Sequence, residues 1–94
     1  MTDTESFADR LAAVHAFPCR YTFKLIGARS PALERSVLEA IEAVLPGERP
    51  TVSHRPSATG KYLALTVEIE APSVTAVLDL YERFRVIEGL THLL

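Results

Sequence analysis

Apolar positions along the chain alternate between two periods. Tyr21, Phe23 and Leu25 interleave with Arg20, Thr22 and Lys24, the every-second-residue pattern of a half-buried strand over 19–26, closed by Gly27. The spacing then widens. Leu33, Val37, Ile41, Val44 and Leu45 fall on one helical stripe, with Glu34, Glu39 and Glu42 off it. Ser30 offers an N-cap oxygen, Pro31 suits the first helical position, and Pro46-Gly47 stops the helix. A short strand over 51–55 lies between Pro50 and Pro56. Proline cannot donate to a central ladder, so this strand is expected at a sheet edge. The strongest alternation covers 62–70: Leu63, Leu65, Val67 and Ile69 face one way, and Tyr62, Ala64, Thr66, Glu68 and Glu70 the other. Pro72-Ser73 opens a second helix whose inner face is Val74, Val77, Leu78, Tyr81 and Phe84 or Arg85, with Gly89 as its expected stop. Residues 90–94 are apolar enough for a final strand.

Upstream of this series, Phe7, Leu11 and Val14 have helical spacing, predicting a short helix over 7–15 after a frayed start at 1–6. Ala16-Phe17-Pro18 breaks it. The expected organisation is an N-terminal extension over 1–15, partly helical or disordered, and a single domain over 16–94. Its order of strand, helix, strand, strand, helix, strand predicts an α+β fold. This is the ferredoxin-like βαββαβ sandwich, a four-stranded antiparallel sheet with two helices on one face and its first and third strands central. Arg20, Thr22, Lys24, Tyr62, Thr66, Glu68 and Glu70 would then occupy the other face. No internal repeat or low-complexity segment interrupts the chain.

With 94 residues, 48% of them hydrophobic, the chain can form one small core without disulfides or metal. A net charge of −2 argues against a dedicated nucleic-acid binder, although it leaves room for a local basic patch. The lone Cys19 cannot pair internally, which favours a reducing compartment. No apolar run approaches the roughly 20 residues of a membrane span. The polar, acidic start lacks a signal-peptide pattern. A cytoplasmic protein without membrane contact is expected.

The most distinctive candidate chemistry is the basic turn Arg55-Pro56-Ser57-Ala58-Thr59-Gly60-Lys61-Tyr62. Arg55 and Lys61 supply charge, Ser57 and Thr59 hydroxyls, and Gly60 room for close backbone approach, with His54 as a further donor when protonated. Together they suit a small anionic ligand. The same residues also make an ordinary solvated turn, in which flanking cations discourage edge-to-edge pairing. The spacing is not that of a phosphate-binding loop. Arg29, after Gly27-Ala28, stands beside the start of the first long helix and joins the candidates, although a glycine there also suits a plain strand-to-helix turn.

Of the remaining groups, the parity of Cys19 points it into the core as an inert small hydrophobe. His15, His54 and His92 lack partners at metal-ligand spacing, so no metal or cofactor is expected. The carboxylates form no distinctive acid–base pair, and Glu34 and its neighbours read as solvated faces. The residue pattern argues against RNA recognition by the sheet, because Arg20, Thr22 and Lys24 give the first strand no outward aromatic. Protein association through that face is better supported, with Lys24 and Glu68 as candidate cross-strand or intersubunit partners.

Three segments resemble the YbeD-like family of small uncharacterised bacterial proteins. They are Phe17-Pro18-Cys19-Arg20-Tyr21-Thr22-Phe23-Lys24-Leu25-Ile26-Gly27, the Arg55 to Tyr62 turn, and Leu80-Tyr81 with the apolar C-terminus. The turn departs from the family pattern at Ala58, where a second serine is usual. The resemblance covers roughly 15–94 and implies an ACT-like fold, of a kind that often pairs side by side and regulates through small ligands. It carries no catalytic residues. The expected function is a non-enzymatic regulatory or adaptor domain acting as a homo-oligomer or on another protein, biased by a small anionic ligand. The contact residues would be Arg29, Arg55, Ser57, Thr59, Lys61 and Tyr62. Two alternatives remain: a small enzyme whose site forms across an oligomer interface, and a weak nucleic-acid binder.

Overall fold

A computed structural model describes residues 6–94. Three helices and four strands follow one another as α1 (Phe7–Val14), β1 (Cys19–Ala28), α2 (Pro31–Val44), β2 (Thr51–Pro56), β3 (Tyr62–Ala71), α3 (Val74–Phe84) and β4 (Leu90–Leu93). The sheet is antiparallel in the order β2-β3-β1-β4, so β1 and β3 are central and the proline-flanked β2 is an edge. This is the ferredoxin-like arrangement expected from the sequence, preceded by α1. Of the frayed start that the sequence predicts over 1–6, residues 1–5 lie outside the described residues, and Ser6 caps α1.

Register follows from the alternation. Tyr21 pairs with Ile69, Phe23 with Val67 and Leu25 with Leu65, so the apolar residues of both central strands share one face. Leu33, Val37 and Ile41 of α2 and Val77, Leu80 and Phe84 of α3 are buried with them in the core. Phe23 meets Phe84 edge-on, with ring centroids 5.1 Å apart. The helix starts use their serines: Ser30 Oγ accepts from the Ala32 N–H at 3.1 Å, and Ser73 Oγ from the Ala76 N–H at 3.2 Å. No helix of the described residues is long and apolar enough to cross a membrane.

Several local expectations are corrected. Gly27 neither ends β1 nor makes a turn; it is buried within the strand, beside an irregularity in the β1–β4 register. A Cβ at this position would lie 2.9 Å from the Gly89 carbonyl oxygen and 3.2 Å from a Leu33 methyl, so close packing is what requires glycine. Helix α3 ends at Phe84, before Gly89, which sits at φ 88° in the turn entering β4. Val14 projects outward, because α1 buries only Leu11. Cys19, the first residue of β1, is half-buried rather than enclosed in the core.

Candidate functional site

The β2–β3 connection is a hydrogen-bonded turn whose side chains build their own scaffold. The Ser57 N–H donates to the Tyr62 carbonyl at 2.9 Å, and the Gly60 N–H to the Ser57 carbonyl at 2.9 Å. Gly60 takes φ 77°, a conformation that glycine adopts at little cost. The two candidate hydroxyls are engaged locally. Ser57 Oγ accepts from the Tyr62 N–H at 3.1 Å, and Thr59 Oγ1 accepts from the Lys61 N–H at 3.4 Å. Both serve turn chemistry, which competes with any role toward a ligand.

The fold brings Arg29 to this turn. Its N–H donates to the Lys61 carbonyl at 3.0 Å, and one guanidinium nitrogen lies 3.4 Å from where a Gly60 Cβ would be. The loop after β1 and the tip of the β2–β3 hairpin therefore form one surface. Among the described residues no ion pair uses Arg29, Arg55 or Lys61; the pairs are Arg20–Glu68, His54–Glu34 and Arg85–Glu82. Three cationic residues thus stand near this end of the sheet, none of them in an ion pair among the described residues.

Pro56 divides that surface. On the helix side, Arg29, Ser30, Glu34, His54 and Leu63 line an open groove of about 540 Å³. On the open side, Arg55, Ser57, Tyr62, Ile26 and Ala64 line another of about 480 Å³. Of the six candidate residues, Arg29 thus belongs to the first groove and Arg55, Ser57 and Tyr62 to the second. Thr59 and Lys61 lie at the tip between them.

Two pairings escaped sequence reasoning. His54 Nε2 contacts Glu34 Oε1, tying the edge strand to the first turn of α2. The available signal was parity: His54 stands opposite Leu65 and so faces the helices. Tyr21 and Tyr81 join their hydroxyls at 3.0 Å beneath α1. Burial, reinforced by that hydrogen bond and by the neighbouring Tyr21, pushes the Tyr81 phenol well above its ordinary ionisation range. The cross-strand pair expected of Lys24 and Glu68 is corrected. Glu68 takes Arg20 Nη2 at 3.3 Å as its partner rather than Lys24, which stands opposite Thr66. The diagonal from Arg20 to Glu68 suits the reach of arginine.

No group of three or more His, Cys, Asp or Glu side chains among the described residues is arranged to hold a metal ion. The geometry defines a small α+β domain with a cationic hairpin end and an uncovered sheet face. The chain belongs to the family described as "Protein of unknown function (DUF493)", whose profile matches residues 12–94, in agreement with the YbeD-like resemblance. A UPF0250 protein of Vibrio vulnificus is 40% identical over 67 residues, covering 70% of this chain and 71% of the relative. One of Edwardsiella ictaluri is 35% identical over 72 residues, covering 77% and 82%. The solution structure of protein HP0495 from H. pylori superposes with a TM-score of 0.74 at 12% identity, covering 85% of each chain, a likeness of fold.

Proposed function

We propose that this chain is a non-enzymatic regulatory or adaptor domain that acts by associating with a polypeptide, a second copy or another protein, with a small anion at the hairpin end biasing that association. The carrying observation is the bond that ties Arg29 to Lys61 at the hairpin tip, with Arg55 on the strand leading into the same hairpin and none of the three in an ion pair among the described residues. Each of these cations is available to an acidic group of a partner or ligand. The adjoining open face supports the association half. It carries Tyr62, 45% exposed, and Leu94, 69% exposed, and no helix of the described residues covers it.

The test is sedimentation of the wild-type chain and of a variant with Arg29→Ala, Arg55→Ala and Lys61→Ala combined. Each is run alone and with a panel of amino acids, nucleotides and carboxylates, with amide shifts recorded in parallel. Self-association or panel-induced shifts at 55–62 that the variant loses are expected. A strictly monomeric chain whose amides ignore the whole panel rejects the reading.

A further inference from the structure

The groove on the open face has a specific construction. Register places Arg55 of β2 opposite Ala64 of β3, Ala64 opposite Ile26 of β1, and Ile26 opposite His92 of β4, so these four residues form one row across the sheet. Their partners in the alternation, Leu65 and Leu25, point into the core, so the row faces outward. Ala64 is the short residue in this row. Ala64 leaves a depression between taller neighbours: Tyr62 and Ile26 form apolar walls, and Pro56 closes the hairpin side.

One rim of this apolar trough carries a cation. Arg55 lines it, and among the described residues no ion pair or side-chain hydrogen bond holds the guanidinium. An arginine head next to an apolar floor complements a molecule that has one acidic group and an apolar body. Adjacent strands lie about 4.8 Å apart, so the span from Arg55 to Ile26 is about 10 Å. That fits a short chain or single ring.

We propose that the trough over Ala64 is a binding site for small amphipathic carboxylates, with the acid on Arg55 and the apolar body lying over Ala64 against Ile26 and the Tyr62 ring. This rests on the functional reading above and narrows it. A purely ionic ligand would be satisfied by Arg29 and Lys61 at the hairpin tip. The ligand class proposed for the trough also needs its apolar floor.

The test titrates the full chain with hexanoate, hexanol and inorganic phosphate while amide shifts are recorded. Hexanoate is expected to move Ile26, Arg55, Tyr62 and Ala64, and hexanol to bind more weakly. Ala64→Leu fills the floor and is expected to abolish the response. Arg55→Gln, on an exposed edge strand, keeps the floor and is expected to weaken binding about tenfold, the scale of one lost charge-assisted contact. Equal binding of hexanol and hexanoate overturns the proposal. So does a hexanoate response confined to the hairpin tip, shared with phosphate and indifferent to Ala64→Leu, which would leave the broader anion reading standing. Silence toward every probe overturns this proposal, whereas association lost in the triple variant would still uphold the broader one.

Discussion

The hydroxyls of Tyr21 and Tyr81, one on a central strand and one on α3, meet at 3.0 Å on the margin of the core. Their rings belong to an aromatic cluster: Phe23 lies 4.9 Å from each, and Phe7 of α1 stacks edge-on against Tyr81 at 5.5 Å. Each hydroxyl gives the other a partner where water is scarce. Tyr21→Phe or Tyr81→Phe alone should cost about 1 kcal/mol, because the surviving hydroxyl loses its bond. The double variant should cost less than the sum, since it strands no polar group. Urea unfolding of the four proteins checks this, and strict additivity would show that the pair is not coupled.

The same pair sets an alkaline limit. Burial raises the Tyr81 phenol in the folded chain above its unfolded value near 10. A raised pKa means that the folded state holds the proton more tightly. The stability it contributes is therefore complete below about pH 10 and falls as pH rises from there toward the folded value. Unfolding midpoints followed above pH 10 should decline, and Tyr81→Phe should flatten part of that decline. An identical slope in the variant would remove Tyr81 as the cause.

Gly27 and Gly47 should respond differently to alanine. At Gly27 the new methyl would press on the Gly89 carbonyl at 2.9 Å, which is backbone and cannot swing aside. At Gly47 nothing lies within 4 Å, but φ is 86°. Gly47→Ala should cost about 1 kcal/mol through conformation alone. Gly27→Ala should cost more, about 1–3 kcal/mol, and should disturb the β1–β4 pairing. Thermal unfolding with amide shifts at 89–93 separates the two.

Ser57→Ala distinguishes turn chemistry from ligand chemistry. Its Oγ accepts from the Tyr62 N–H at 3.1 Å, so its loss should destabilise the chain by about 1 kcal/mol in the absence of any ligand. Unchanged stability would return the hydroxyl to the list of groups available to an anion.

Strand period, helix stripe and punctuation together carried the architecture, because each element buries one face and its residues repeat accordingly. Leu65, Val67 and Ile69 could take no other side once Tyr21, Phe23 and Leu25 faced the helices. What sequence left hidden depends on distance in three dimensions. Gly27 looked like a turn glycine, because the Gly89 carbonyl it must accommodate lies far along the chain. Arg29 was chosen for its place before α2, yet its nearest consequence is the bond to Lys61 across the hairpin. Glu34 looked solvated until the edge strand brought His54 to it. Charge and hydroxyl content single out the six candidate residues, and nothing local reveals that Pro56 separates Arg29 from Arg55, Ser57 and Tyr62.

Helix α1 should behave as an attachment to the fold built from β1 to β4 rather than as part of its core. It has 8 residues, below the length at which helices persist alone in water, so its order comes from its cap and its docking. Ser6 and Asp9 form a reciprocal cap, and Leu11 is the one residue it buries. A core leucine such as Leu25 cannot be truncated without leaving a cavity, and Leu25→Ala should cost about 2–5 kcal/mol. After Leu11→Ala, α1 can instead lift away, so the cost is capped by its docking energy and should stay below about 2 kcal/mol. Hydrogen exchange gives the finer test. The Arg10 and His15 amides, bonded to the Ser6 and Leu11 carbonyls at 3.1 and 2.9 Å, should lose protection in Leu11→Ala while β1 and β3 keep theirs. Equal loss across the sheet would make α1 integral to the fold.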